Sequence, residues 1–207
     1  MASPFVKVCG ITRAEDALHA IAQGATAVGF VFWPRSPRAV GREVAAAIIA
    51  QLPASITTVG VFVDEPLESL RTIAAVTRIR MAQLHGSESI EYAGAIGLPV
   101  LRAMRVDEAE ESRWPPQMPI LLDAIDPAAR GGTGRTVDWG RAAAVADQRH
   151  VILAGGLTAD NVGDAIAAVR PDGVDVSSGV EQAPGIKDAG KVTRFLVNAR
   201  AAFEAYQ

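Results

Sequence analysis

Eight short β-branched or apolar runs alternate with stretches of helical periodicity along the 207 residues. At about 26 residues per unit and with no segment left over, they predict an α/β fold, a single-domain (β/α)8 TIM barrel covering residues 1–207. An open doubly wound sheet of five or six strands does not accommodate eight such units. No Ser/Gly linker, charge block or change of composition interrupts the chain, so one domain is expected.

In chain order the expected strands are Val6 to Cys9, Ala27 to Phe32, Thr57 to Val63, Met81 to Leu84, Val100 to Met104, Ile120 to Leu122, Val151 to Ala154 and Val174 to Ser177. Runs such as Ile120-Leu121-Leu122 have no polar face, which suits a parallel sheet covered by helices. Between the strands, apolar residues recur at helical spacing, as in Val162, Ala165, Ile166 and Val169, or Val192, Phe195, Leu196, Ala199 and Phe203. Two longer segments, Trp33 to Gly41 and Ala124 to Thr136, have loop character, and loops of that length in so economical a chain are expected to be functional.

Composition narrows the function classes. Apolar residues make up 49% and charged ones 21%, an ordinary globular balance rather than a disordered one. A net charge of -3 without any basic run removes the electrostatic drive toward nucleic acid or an anionic membrane, and no apolar run is long enough to span one. With no secretory leader in the opening Met1-Ala2-Ser3-Pro4, a soluble cytoplasmic protein is expected. The one cysteine, Cys9, cannot form an internal disulfide or a thiolate metal cluster, and no metal site is expected.

Active sites of such barrels are built at the C-terminal ends of the strands. Here those positions hold Cys9-Gly10, His85-Gly86, Asp123, Gly155-Gly156 and Ser177-Ser178-Gly179. A Gly-Gly pair alone makes a turn. Paired with Ser178 and Gly179 on the neighbouring loop, and followed by Thr158 as an expected helix N-cap, Gly155 and Gly156 read as an anion site that binds phosphate. A lone strand cysteine is usually inert filler, but at the rim, next to a glycine, Cys9 is a candidate base or nucleophile. Asp123 ends an apolar run, whereas its rival Asp126 precedes Pro127 and resembles turn chemistry, so Asp123 is favoured as the acid.

Strand alternation puts Lys7 on the face of Cys9 and Asp175 on the face of Ser177. Because the first and last strands pair to close a barrel, these opposite charges are expected to meet inside, as a functional pair or as a structural one. His85 and Gln83 share a parity that lines the pocket or packs the core, and His19 and His150 are expected to be structural.

Together the segments KVCGIT at 7–12, QLHG at 83–86, LLDA at 121–124 with GGTGRTVDW at 131–139, AGGL at 154–157, and VDVSSGVE at 174–181 followed by PGIKD strongly resemble the phosphoribosylanthranilate isomerase family of tryptophan biosynthesis over almost the whole chain. The resemblance implies an Amadori rearrangement of N-(5'-phosphoribosyl)anthranilate without metal or organic cofactor. It also implies Cys9 as general base and Asp123 as general acid, Arg38 as the loop arginine that meets the anthranilate part, Asp175 as a further carboxylate, and Gly155, Gly156, Ser178 and Gly179 around the phosphate. Trp33 stands where tyrosine is expected and Ala154 where serine is frequent.

In that mechanism Asp123 must be protonated and Cys9 ionised near neutrality, each against its ordinary tendency. Burial is expected to raise the first and positive charge, with Lys7 the candidate, to lower the second. The alternatives are the sister barrel isomerase of histidine biosynthesis, which uses two aspartates, and a catalytically silent phosphoribosyl-binding barrel. Retention of Cys9 and Asp123 speaks against both. The expected partner is the small-molecule substrate, with the chain a monomer or homodimer.

Overall fold

The computed structural model describes residues 4–123 and 137–205. Eight parallel strands close a barrel in sequence order: β1 (Phe5–Val8), β2 (Ala27–Val31), β3 (Thr57–Phe62), β4 (Met81–Leu84), β5 (Val100–Met104), β6 (Ile120–Leu122), β7 (Val151–Leu153) and β8 (Gly173–Val176). The seam joins β8 to β1 with Lys7 opposite Asp175. Helices α1 (Ala14–Ala22), α2 (Arg42–Ile49), α3 (Leu67–Thr77), α4 (Ile90–Ala95), α5 (Val106–Glu110), α6 (Trp139–Ala146), α7 (Val162–Val169) and α8 (Ala189–Glu204) alternate with the strands. The expected eight units are all present.

Alternation along each strand divides the core. Outward residues such as Val6, Val8, Val28, Phe30, Phe62, Leu84, Ile120, Leu122, Val174 and Val176 pack with the apolar stripes of the helices, among them Ala17, Leu70, Val162, Ile166, Phe195 and Leu196. Inward residues form a separate cluster of Leu101, Ala103, Leu121, Ile152 and Ala154, against which Phe5 and Met81 pack. A third, small cluster of Cys9, Val31 and Val61 carries Trp33. The inside of the barrel is therefore apolar toward β5–β7 and charged toward β1 and β8.

Helix starts use side-chain acceptors where the sequence offers them. Ser89 accepts from Tyr92 N–H at 3.2 Å, Asp138 from Arg141 N–H at 3.1 Å and Asp188 from Lys191 N–H at 2.9 Å. No helix among the described residues is long and apolar enough to cross a membrane.

Five expected strands ran one residue past the observed ends, at Cys9, Phe32, Val63, Ala154 and Ser177. Three of them keep one bond to the neighbouring strand just past the end of their own: Cys9 N–H donates to Val176 O and Ala154 N–H to Leu122 O, both at 2.8 Å, and Phe32 N–H to Val61 O at 2.9 Å. Asp123 N–H likewise donates to Met104 O at 3.1 Å. One element was unforeseen, an antiparallel hairpin of β9 (Glu181–Ala183) and β10 (Ile186–Lys187) between β8 and α8, turned by Gly185 at φ 80°.

Candidate active site

Lys7 Nζ lies 2.9 Å from Asp175 Oδ1 inside the barrel, and both side chains are buried. The opposite charges that alternation assigned to one face do meet across the seam. Cys9 is buried on the same face of β1. Gly29 on β2 makes room for both, since a Cβ there would stand 2.8 Å from Cys9 Sγ and 2.9 Å from Lys7 Cε.

Burial opposes the Lys7 ammonium, but Asp175 and Cys9 outweigh it and hold Lys7 above the ordinary range, so it stays charged. For Cys9, burial pushes the thiol up, Lys7 pulls it down and Asp175 pushes it up again, leaving it above the ordinary thiol range. The expectation that positive charge lowers this thiol is thereby corrected. The cation is present and acts in the expected direction, but desolvation of a buried thiolate is the larger effect.

Across the barrel mouth, Gln83 and His85 share the inward face of β4. Gln83 Nε2 is 3.3 Å from His85 Nδ1, and His85 Nε2 is 3.6 Å from Asp123 Oδ2. An amide N–H donated to Nδ1 leaves the imidazole proton on Nε2, the nitrogen that faces Asp123. Asp123 sits one residue past β6 and is largely buried, with a side chain 12% exposed. Asp126 and the segment Ala124 to Thr136 lie outside the described residues.

Arg38 occupies the loop after β2, which folds back on its own strand through a bridge between Val31 and Ala39. Its guanidinium makes a bidentate pair with Glu181, Nε to Oε1 at 2.9 Å and Nη2 to Oε2 at 2.8 Å. Glu181 Oε1 also accepts from Lys187 Nζ at 2.8 Å and from Gly185 N–H at 3.2 Å. Lys187 Nζ donates further to Ser177 O at 3.2 Å. Gly10, at φ 76°, lets Arg38 lie against the main chain beside Cys9, because a Cβ there would meet Arg38 Cδ at 2.7 Å.

Burial works to raise the Glu181 carboxyl, but Arg38 and Lys187 carry it below the ordinary carboxylate range. Burial lowers Lys187 below the ordinary ammonium range, against the pull of Glu181 and Cys9.

The loops after β7 and β8 adjoin. Gly155 and Gly156 have φ of 77° and 64°, conformations that glycine adopts readily. Ser178 opens a single 3-10 turn, Ser178–Val180, and a Cβ on Gly179 would fall 1.9 Å from Leu157 O, so only glycine lets the two loops touch. Thr158 does not cap α7 as expected. The N-cap is Asn161, whose side chain turns back to accept from Thr158 N–H at 2.8 Å and donate to Gly156 O at 3.0 Å. It braces the Gly-Gly loop from below.

A family model described as N-(5'-phosphoribosyl)anthranilate (PRA) isomerase matches residues 6–198. The chain belongs to this family. Among curated phosphoribosylanthranilate isomerases, that of Pelobacter propionicus is 50% identical over 196 residues, 92% of this chain and 93% of its own length. That of Pseudomonas putida is 48% identical over 195 residues, 92% and 94% of the two chains. Among solved structures, the phosphoribosyl anthranilate isomerase of Thermotoga maritima has a TM-score of 0.89 at 40% identity, covering 96% of this chain and 100% of its own. A further structure of that enzyme, described as mutually generated monomers of a dimeric isomerase, has a TM-score of 0.85 at 39% identity, covering 96% and 100% of the two chains.

Within this phosphoribosylanthranilate isomerase barrel the candidate residues fall at one mouth, on β1, β4, β6, β8 and the loops that follow β2, β7 and β8. His19 and His150 are elsewhere. His19 Nε2 contacts Ala189 O at 3.1 Å and Thr193 Oγ1 at 3.0 Å on α8, and His150 pairs with Asp172 on the surface. Sequence reasoning gave no role to Gly29, Glu181 or Lys187. A glycine in the middle of the apolar run of β2, and opposite charges either side of a Pro-Gly turn, were the available signals. Among the described residues no group of three or more His, Cys, Asp or Glu is placed to hold a metal ion.

Proposed function

We propose that Cys9 is the general base and Asp123 the general acid of this chain's reaction. The activity follows from family membership: the chain is an isomerase of tryptophan biosynthesis, performing the Amadori rearrangement of N-(5'-phosphoribosyl)anthranilate to 1-(2-carboxyphenylamino)-1-deoxyribulose 5-phosphate. Asp123 donates its proton to the ribose ring oxygen as the C1'–O bond breaks and the amine nitrogen forms a protonated Schiff base. Cys9 thiolate takes the C2' proton, and the electron pair released neutralises the iminium to an enolamine. The enol loses its hydroxyl proton and C1' gains one, giving the ketone.

The observation that carries this reading is that Cys9 and Asp123 both stand one residue past a strand at the same barrel mouth, each largely withdrawn from water. A buried thiol with a raised pKa is a scarce base in the empty site. The cationic Schiff base forms where the proton is to be removed, and an adjacent cation favours the thiolate. His85 holds Asp123, and Gln83 holds His85. The Gly155-Gly156 loop and the Ser178-Gly179 turn receive the phosphate, and Arg38 the anthranilate carboxylate. Lys7 and Asp175 line the pocket below Cys9 as a functional pair. One domain carries all of it, in a cytoplasmic monomer or homodimer. A dimer is named for the T. maritima relative.

The test is loss of substrate fluorescence with the purified chain. The intact chain should consume phosphoribosylanthranilate, and Cys9→Ala and Asp123→Asn should each lose at least ~100-fold in turnover while still binding product. A mild Asp123→Asn beside a damaging Asp126→Asn would transfer the acid to Asp126.

A further inference from the structure

The hairpin β9–β10 buries a lysine that the reaction scheme leaves unused. The Lys187 side chain is 1% exposed and that of Glu181 5%, a degree of burial seldom given to charges without a purpose or a partner. Its partner is shared. Glu181 serves both Lys187 and Arg38, so one buried carboxylate is shared between two cations and is not the private counter-charge of either. By contrast Lys7 has a carboxylate of its own in Asp175, which offsets part of its pull on Cys9.

Several bonds hold this cluster at the mouth. Lys187 N–H donates to Asp16 Oδ2 of α1 at 3.1 Å, Thr12 Oγ1 donates to Gly185 O, and Lys191 Nζ of α8 donates to Glu181 O at 2.8 Å. The Lys187 ammonium reaches Ser177 O, one residue past the strand whose Val176 O receives Cys9 N–H. The ammonium and the Cys9 amide thus bond to consecutive carbonyls at the end of β8.

We propose that Lys187 is a positioning residue for the thiolate of Cys9, adding a second positive charge to that of Lys7, whose effect Asp175 partly offsets. This rests on the assignment of Cys9 as base. Among the described residues the charged groups that act on Cys9 are Lys7 on β1, Asp175 on β8 and Lys187 on β10; Arg38 and Glu181 stand behind Lys187, and the His85–Asp123 pair follows β4 and β6 at the same mouth. The interaction between Lys187 and Cys9 favours the charged form of each. Glu181 tempers the effect by drawing the ammonium toward itself.

Because the chain has one cysteine, thiolate absorbance reads Cys9 alone once the Cys9→Ala chain is subtracted. In full-length Lys187→Met the absorbance should rise at higher pH, with about tenfold less thiolate at a fixed pH, and Lys187→Arg should restore it. Glu181→Gln removes the shared counter-charge and should move the profile the opposite way. The kcat of Lys187→Met should fall with the thiolate while KM stays within about twofold. Superimposable absorbance profiles, shifts of the same sign in both variants, or a rise in KM with unmoved absorbance would each overturn the proposal. Should Lys187→Met fail to fold, Glu181→Gln carries the test, and an unmoved profile there overturns it equally. An active Cys9→Ala chain would instead remove Cys9 as base, an outcome that the absorbance data keep separate.

Discussion

Lys7 and Asp175 are register partners across the seam of the barrel, and their charges stand 2.9 Å apart with the lysine wholly out of water. The contact is at once a closure of the sheet and the floor under Cys9. Those two roles make different demands on substitution.

As a buried pair it should be costly to break and cheap to replace. Lys7→Met alone leaves an uncompensated carboxylate and should lose about 3–5 kcal/mol, much of which Lys7→Met with Asp175→Leu regains. The single variant should also raise the Cys9 thiol further, and the double variant less, because Asp175 opposes Lys7 at that atom. Urea unfolding and thiolate absorbance measure the two effects. A double variant no more stable than the single one would contradict the pairing.

The raised thiol fixes a pH dependence. In the free protein the base form of Cys9 appears only as pH rises through its elevated pKa, so kcat/KM should climb on the alkaline side of the ordinary thiol range, while kcat, which follows the complex with its cationic Schiff base, should climb at lower pH. Stability runs the other way. A group whose folded pKa lies above its unfolded value contributes stability below the unfolded pKa and loses it as pH rises through the folded one. The stability margin of the intact chain over Cys9→Ala should therefore shrink from the ordinary thiol pKa upward, a trend that chemical denaturation across pH would reveal or refute.

Gly29→Ala probes the space around the thiol. The added methyl would stand 2.8 Å from Cys9 Sγ and 2.9 Å from Lys7 Cε, so both must move. We expect a loss of about 1–3 kcal/mol and at least a tenfold fall in kcat, with phosphate inhibition unchanged because the loops after β7 and β8 are not touched. Intact turnover would show that the thiol position is not critical.

Gly179→Ala acts beyond β1, in the turn that follows β8. Its Cβ would fall 1.9 Å from Leu157 O, a backbone atom with nowhere to retreat, and must drive the loops after β7 and β8 apart. KM and inhibition by inorganic phosphate should weaken at least tenfold, while the thiolate profile of Cys9 stays put. Equal phosphate affinity in the two chains would place the anion elsewhere.

Much of the arrangement of the candidate site was legible because a strand has a period of two and a barrel has one seam. Those facts placed Lys7, Cys9 and Asp175 together from their numbers alone. Asp123, Gly155, Gly156 and Gly179 followed from the tendency of such barrels to keep chemistry at one end. The hairpin was not legible: its strands are two and three residues long, too short for any periodicity, and the meeting of Glu181 with Arg38 spans 143 residues. Thr158 and Asn161 are both good caps by residue type, yet neither side chain caps α7: Asn161 turns back to Gly156 O and Thr158 N–H, and Thr158 Oγ1 accepts from Asp160 N–H at 3.3 Å. The state of Cys9 was missed for another reason. Sequence shows which charges can gather, but the contest between a nearby cation and desolvation is decided by depth.

The joining of the chain's two ends has a consequence for the order in which the molecule can form. Lys187 N–H reaches back 171 residues to Asp16, and Lys7 waits nearly as long for Asp175. While the polypeptide emerges from the ribosome, the inner face of its first strand carries an ammonium with no counter-charge, and shutting a shorter sheet over it would strand that ion away from water. The lysine thus penalises premature closure until the eighth strand arrives. A chain that stops before Gly173 should show no cooperative unfolding transition, and Lys7→Met in that truncated chain should favour collapse, which calorimetry and light scattering would report.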